Sequence, residues 1–281
     1  MVNTILINKN NGISNGFKNQ FAYKFVGNGL NLDSNRDNSI ALVSLSMPFS
    51  IFNVSLIYNN TSYQIIYNSV TYTNNIPDSY LDIDGLNKNL QFFLVSNNLY
   101  LIDDAGNFRY YMEFVLDVAI YKVSVKFYPV PSVLPTGWSN PGGMALTGLS
   151  PQLVISSSNN FYKLLGLIPS TYPASPSAVN AIQLSNTDIE LSPISSINLA
   201  CNLINNSVSV SPQIFYSFVP SNVGFGEYIS VTPPELIYVS CYSGFYNDIV
   251  ISIVDEYSRP LALQDNSCVF MIAFKSTKKT E

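Results

Sequence analysis

The stretch 248-DIVISIVDEY-257 decides how the chain is read. Ile249, Ile251 and Ile253 fall on one side of an extended backbone, and Val250, Ser252 and Val254 fall on the other. A helix would scatter these residues around its axis, whereas a strand with a two-residue period sorts them into two faces. Both faces are largely apolar, which predicts a strand covered on both sides. Working outward, the same kind of run recurs: short segments rich in Val, Ile, Tyr, Phe and Thr, broken by Asn, Gly, Pro and Ser. Strands are expected near 3–8, 20–26, 38–47, 53–58, 62–67 and 70–74. A second group is expected near 197–204, 212–219, 227–232, 235–243, 247–255 and 267–275. No period of 20 to 50 residues repeats, so a solenoid or propeller is not expected. The pattern is that of an antiparallel β-sandwich or jelly roll.

The middle third reads differently. In 84-DGLNKNLQFFLV-95, Leu86, Leu90, Phe93 and Leu94 share one helical face, with Asp82 or Asp84 as N-cap. Strands follow near 98–102, 108–116 and 119–127, the first two joined by the turn 103-DDAGN-107. The run 129-PVPSVLPTGWSNPGG-143 carries four prolines and three glycines, too many for a regular element. A strand at 151-PQLVIS and a short helix at 160-NFYKLLGL, ending at Gly166, complete this part. It reads as an α+β domain over 78–192, inserted between strands before Pro77 and strands after about Ser192.

Composition narrows the chemistry. The 281 residues contain no histidine, which removes Ser-His-Asp and Cys-His catalysis and His-ligated zinc. Charged residues make up 11%, against roughly 25% in an ordinary domain, while 19 Tyr and 17 Phe are present. A surface poor in charge and rich in aromatics suits burial against protein neighbours, although an Asn-rich genome gives the same bias. The net charge of −5 argues against nucleic acid, because phosphates need clustered Lys and Arg. The basic run Lys275 to Lys279 reads as a solvated tail. No stretch reaches the ~18 apolar residues of a membrane span, and no secretory signal is visible at the N-terminus. Cys201, Cys241 and Cys268 are too far apart for a zinc knuckle and too few for a disulfide framework; they read as small buried hydrophobes.

Asp82, Asp84, Asp103 and Asp104 resemble ligands at first sight. An EF-hand counted from Asp82 fails, because Leu86, Asn87 and Phe93 stand where oxygen, glycine and glutamate are needed. Cap and turn chemistry is the expected role. A carboxylate pair for glycoside hydrolysis could be drawn from Glu113, Asp117, Asp188, Glu190, Glu227, Asp248, Asp255 and Glu256, yet nothing marks two of them. Asp255 and Arg259 could pair across a strand end at the surface. The sequons at Asn53, Asn59, Asn60 and Asn205 are what an Asn-rich chain produces by chance, and phosphate-binding glycine loops are missing. No catalytic, cofactor-binding or metal residue is therefore assigned, and no cofactor is expected.

Three groups of segments, in order, carry a family resemblance. They are 39-SIALVSLSMPFSIFNVSLIYNNTSYQIIY-67; then 76-IPDSYLDIDGLNKNLQ-91 with 99-LYLI-102, 127-FYPVPSVLPTGWSNP-141 and 161-FYKLLGLIPSTYP-173; then 197-INLACNLINN-206, 224-GFGEYISVTPPELIYVS-240 and 248-DIVISIVDEYSRPLALQDNSCVFMIAF-274. Together they resemble the penton, or minor capsid, proteins of virophages and Polinton-type viruses. The resemblance implies a mainly β fold, a single jelly roll formed by 1–77 and 193–281, with 78–192 as an inserted, outward-facing α+β domain. It implies a structural, non-enzymatic protein that closes the five-fold vertices of an icosahedral virion as a homopentamer. Its partners would be copies of itself, neighbouring major capsid protein trimers, and a host surface glycan or receptor; assembly would take place in the host cytoplasm or virus factory. Residues 1–37 fit either an arm under neighbouring capsomers or an ordinary leading strand pair. A host-attachment or carbohydrate-binding β-sandwich module, with the aromatic loop Tyr128 to Pro141 as its surface, is the alternative reading.

Overall fold

The computed structural model describes residues 2–27, 29–192, 194–205, 213–221 and 223–279. Strands β1 (Val2–Asn8), β2 (Gln20–Lys24), β3 (Leu30–Leu32) and β4 (Arg36–Pro48) open the chain. Next come β5 (Ser62–Tyr67), β6 (Val70–Asn75), helix α1 (Ile83–Ser96), β7 (Leu101–Ile102), β8 (Phe108–Arg109), β9 (Met112–Asp117) and β10 (Lys122–Phe127). Strand β11 (Gln152–Ile155), helix α2 (Phe161–Leu165), β12 (Ser170–Tyr172) and β13 (Ala181–Leu184) follow. The chain continues through β14 (Ile197–Cys201), β15 (Ile214–Phe218), β16 (Tyr228–Val231), β17 (Val239–Ser240), β18 (Gly244–Tyr246), β19 (Asp248–Val254) and β20 (Val269–Lys278).

Two compact units result: Met1–Phe52 with Ile194–Glu281, and Asn53–Pro193. In the first, one sheet has the order β1-β20-β4-β16, with β17 also on β4, and the other has β15-β14-β19-β2. Leaving out the short β3, β17 and β18, the eight strands in chain order switch sheet at every step except β14 to β15, which pair within one sheet, as in a jelly roll, and each sheet is antiparallel. Ile249, Ile251 and Ile253 are all fully buried, as the alternation demands. They join Phe21, Leu199 and Ile197 from their own sheet and Ile7, Leu45, Met47, Phe270 and Ile272 from the other. The Phe21 and Phe270 rings, one from each sheet, lie 5.0 Å apart at 59°, so the two inner faces share one core.

The second unit sits in the connection from β4 to β14. Its sheets run β12-β11-β5-β6 and β13-β10-β9, with the small hairpin β7-β8. Helix α1 places Leu86, Leu90 and Leu94 in a core with Tyr63, Ile65, Phe114, Val125, Leu153 and Phe161. Asp82 is the N-cap, its Oδ1 accepting from Gly85 N at 2.7 Å. Helix α2 stops at Gly166, whose left-handed backbone ends the helix.

Several expectations are corrected. The insert begins at Asn53, not at 78, because the hairpin β5-β6 pairs with β11 (Ile65 opposite Leu153) and buries Tyr63, Ile65 and Tyr67 in the second core. The strand expected at 53–58 is an isolated bridge at Val54 and a 3-10 turn over Leu56–Tyr58. Of the strand expected at 235–243, β17 keeps two residues. Between the strands expected at 235–243 and 247–255, Gly244–Tyr246 forms strand β18, paired with β3. Residues 1–37 form no arm among the described positions, since β1 pairs with β20 and β2 with β19. The basic run from Lys275 is largely strand as well, with Lys275 to Lys278 opposite Ser39 to Arg36. Pro212, at the start of another expected strand, lies outside the described residues, as do Asn206 and Ser207 of the fourth sequon.

Candidate functional site

The acidic stretch that resembles a ligand loop is architecture. Asp82 caps α1, and Asp84 is exposed in its first turn. Asp103 closes the turn between β7 and β8: its Oδ1 accepts from Ala105 N at 3.0 Å and Asn107 N at 2.7 Å. Its Oδ2 receives Arg109 Nε at 2.8 Å. The Asn107 backbone N–H first, and then the Arg109 guanidinium, hold the Asp103 carboxyl below the usual carboxylate range. Gly106, with φ +82°, supplies the left-handed residue that the turn needs. Asp104 is exposed and lies against Gly137 of the proline-rich loop.

The carboxylates considered for catalysis are spread over both units, and most hold structure. Glu190 pairs with Lys163 at 3.6 Å, Glu227 accepts from Gly224 N at 2.8 Å, and Asp117 accepts from Ala119 N at 3.0 Å. Glu256 receives Ser195 N at 3.2 Å. Asp255 is not the surface partner expected: it is fully buried, with Oδ1 accepting from Tyr257 N and Arg259 N and Oδ2 from Arg259 Nε at 2.6 Å. Among the described residues no group of three Cys, Asp or Glu could hold a metal ion. Cys201 and Cys268 are buried and Cys241 is half-buried; burial pushes all three thiols up to about 12. Asn53 and Asn60 of the sequons are buried, Asn53 with its amide bonded inside the insert.

One assembly of side chains in the insert has the form of a binding cleft. A recess of about 400 Å³ is lined by Gln91 from α1, Phe108 to Glu113 from β8 and β9, Tyr128, and Trp138. Trp138 is the chain's one tryptophan. Its loop is pinned to β7 by reciprocal bonds between Ile102 and Ser139, at 3.0 and 2.9 Å. The prolines at 129, 131, 135 and 141 fix φ at four further points along the run. On the facing strands, Glu113 stands opposite Lys126 and pairs with it at 3.2 Å. Tyr128 Oη donates to the same Glu113 oxygen, Oε1, at 2.5 Å. Burial first, and then the Glu113 carboxylate, push the Tyr128 phenol up to about 12. Tyr100, Phe108 and Tyr110 form an aromatic row, with ring centroids 5.0 and 6.3 Å apart. The sequence marks the loop Tyr128 to Pro141 and Glu113 separately, but nothing in it joins them to Gln91 and Arg109.

The jelly-roll unit carries a charged recess of about 650 Å³ around Arg36, Asp37, Lys275 and Lys279, and exposed outer sheet faces. On the outer face of the first sheet, Leu6 lies opposite Met271, and Met271 opposite Ser44; Val269 lies between Asn8 and Ser46, and Ser46 opposite Ser230. Leu6, Val269, Met271 and the neighbouring Tyr228 are exposed. On the outer face of the second sheet, Gln20, Ser252, Ala200 and Ile214 form one cross-strand row. They line an uncharged recess of about 560 Å³.

No protein-family model matches the chain, and no curated protein matches it in sequence. In structure it is similar to the mavirus penton protein, as crystallised with selenomethionine, at 14% identity over 98% of both chains with a TM-score of 0.47. It is also similar to a chain of the Sputnik virophage structure determined by cryo-EM, at 14% identity over 99% of this chain and 98% of that one, with a TM-score of 0.39.

Proposed function

We propose that the chain is a structural capsid protein, the homopentameric penton that closes the five-fold vertices of an icosahedral virion. The observation that carries this reading is a pair of uncharged cross-strand rows, one on the outer face of each jelly-roll sheet. A sheet face exposed to water ordinarily carries polar and charged residues. Here the rows through Leu6, Met271, Val269 and Ser44 on one sheet, and through Gln20, Ser252 and Ala200 on the other, carry no charge. Ring closure by rotation needs a heterologous interface, in which one patch meets a different patch on the next copy. Two distinct charge-free patches on one subunit supply such a pair, and depletion of charge is the compositional mark of an interface core. The ordered sequence segments that resemble those of penton proteins point the same way.

In this reading the protein has no enzymatic role and resides in the virion shell beside major capsid protein trimers. The insert faces outward, and assembly takes place in the host cytoplasm or virus factory. The test is the mass of the purified protein in solution, together with its presence in virions. A mass of five chains is expected, and the double variant Leu6→Lys, Met271→Lys should fall to one chain while keeping its β-rich circular dichroism. A wild-type protein that stays strictly monomeric and is absent from virions sinks the proposal.

A further inference from the structure

We propose that the cleft between Gln91, Arg109, Glu113, Tyr128 and Trp138 is a binding site for a neutral pyranose of a glycan. The inference stands apart from the capsid reading, because it rests on the insert alone.

Its volume of about 400 Å³ is in the ~300–1,000 Å³ range of small-ligand sites, which pair aromatic walls with a few polar groups. A pyranose presents just that duality: C–H bonds on its ring faces and hydroxyls around its edge. The C–H bonds pack on the electron-rich faces of aromatic rings, and Phe108, Tyr110, Tyr128 and Trp138 bring such rings to the cleft. Phe108 is exposed, at 47% of its surface, while Trp138 and Tyr128 are held partly buried against the core and so present fixed surfaces.

The hydrogen-bonding groups are unevenly used, and this points to a ligand. Lys126 and Tyr128 both engage Glu113 Oε1, leaving Oε2 without a described partner. Asp103 takes Arg109 Nε and Nη2 through one oxygen, so Arg109 keeps N–H donors to offer, its side chain being half exposed. An acceptor and a donor fork together match the mixed donor and acceptor character of vicinal sugar hydroxyls.

Charge selects the class of glycan. Arg109 is balanced by Asp103, and Glu113 by Lys126, so the cleft carries no net charge. A sialylated or sulfated sugar would find no uncompensated cation, whereas a neutral one loses nothing.

Because Trp138 is the chain's one tryptophan, its emission reports on this cleft alone. The full chain is titrated with methyl glucoside, galactoside, mannoside and N-acetylglucosaminide, with sialyllactose as the acidic comparison. A saturable change with at least one neutral glycoside is expected, weakened about tenfold or more in Phe108→Ala and in Glu113→Gln. Phe108 lies on the exposed two-residue strand β8, so its truncation leaves the core intact even if Glu113→Gln disturbs the Lys126 pairing. No change with any neutral glycoside, binding of sialyllactose alone, or equal affinity in Phe108→Ala each overturns the proposal.

Discussion

Asp103 and Asp255 solve the same local problem in two different units. Each turns the chain by accepting the backbone N–H groups two and four residues onward with Oδ1, and each receives an arginine Nε on Oδ2. Asp255 is fully buried, and its partner Arg259 lies over the Tyr257 ring at 5.0 Å. Asp255→Ala strands two backbone donors and removes the arginine's counter-charge, so a loss of about 3 kcal/mol is expected in urea unfolding. Asp255→Asn, which keeps an acceptor, should lose less. The thiols set the alkaline limit. Their folded pKa values near 12 exceed the unfolded value of about 8.5. The folded state therefore holds these protons more tightly, and the stability they contribute is complete below about pH 8.5 and is lost as pH rises toward 12. The phenols of Tyr111 and Tyr128, also near 12, add to the loss above about pH 10. The urea midpoint should be flat to about pH 8 and then fall, and Cys201→Ala with Cys268→Ala should make that fall shallower.

At the scale of elements, the legible features are those whose signals are local. Helix α1 is written in the spacing of Leu86, Leu90 and Leu94 and in the Asp82 cap, and α2 in its terminal Gly166. The start of the insert is not legible. Hairpin β5-β6 alternates just as the jelly-roll strands do, and only its pairing with β11, close to ninety residues later in sequence, assigns it to the second core. The cleft is hidden for the same reason: its groups come from α1, from β8 and β9, from the end of β10 and from a loop. The two jelly-roll halves are legible as strands, but not their division into sheets, which depends on partners far apart in sequence, such as Val2 and Lys275. Glycines provide a test at this scale. Gly166→Ala would force a Cβ onto the Thr187 carbonyl at a left-handed residue, whereas Gly106→Ala meets open space at a similar φ. The first should destabilise the insert by roughly 3 kcal/mol or more and the second by about 1 kcal/mol, read from thermal unfolding.

Over the whole molecule, the chain is a jelly roll interrupted once, between β4 and β14. The insert has its own buried core, from Val54 to Ile189, containing Phe114, Phe127 and Phe161. With about 140 residues it is large enough to bury a stable interior alone. Residues 53–193 expressed separately should unfold in one cooperative transition, monitored by circular dichroism and by Trp138 emission; a fragment without such a transition would show that the insert depends on the jelly roll.

Asn53 gives this arrangement a consequence in chain entropy. The first residue of the insert donates through Nδ2 to Leu81 O at 2.8 Å and to Leu191 O at 2.9 Å, so the entering and leaving strands of the insert are tied together. A tether of about 140 residues left as random coil would cost the jelly roll roughly 3 kcal/mol more to close than a tight turn does, by the logarithmic law for loops. With its ends clasped, the folded insert presents the jelly roll with the equivalent of a short turn. Melting the insert would restore the long tether and tax the β4 to β14 connection. Asn53→Ala should therefore lower the unfolding temperature of the jelly roll along with that of the insert, although Asn53 lies outside the jelly-roll unit.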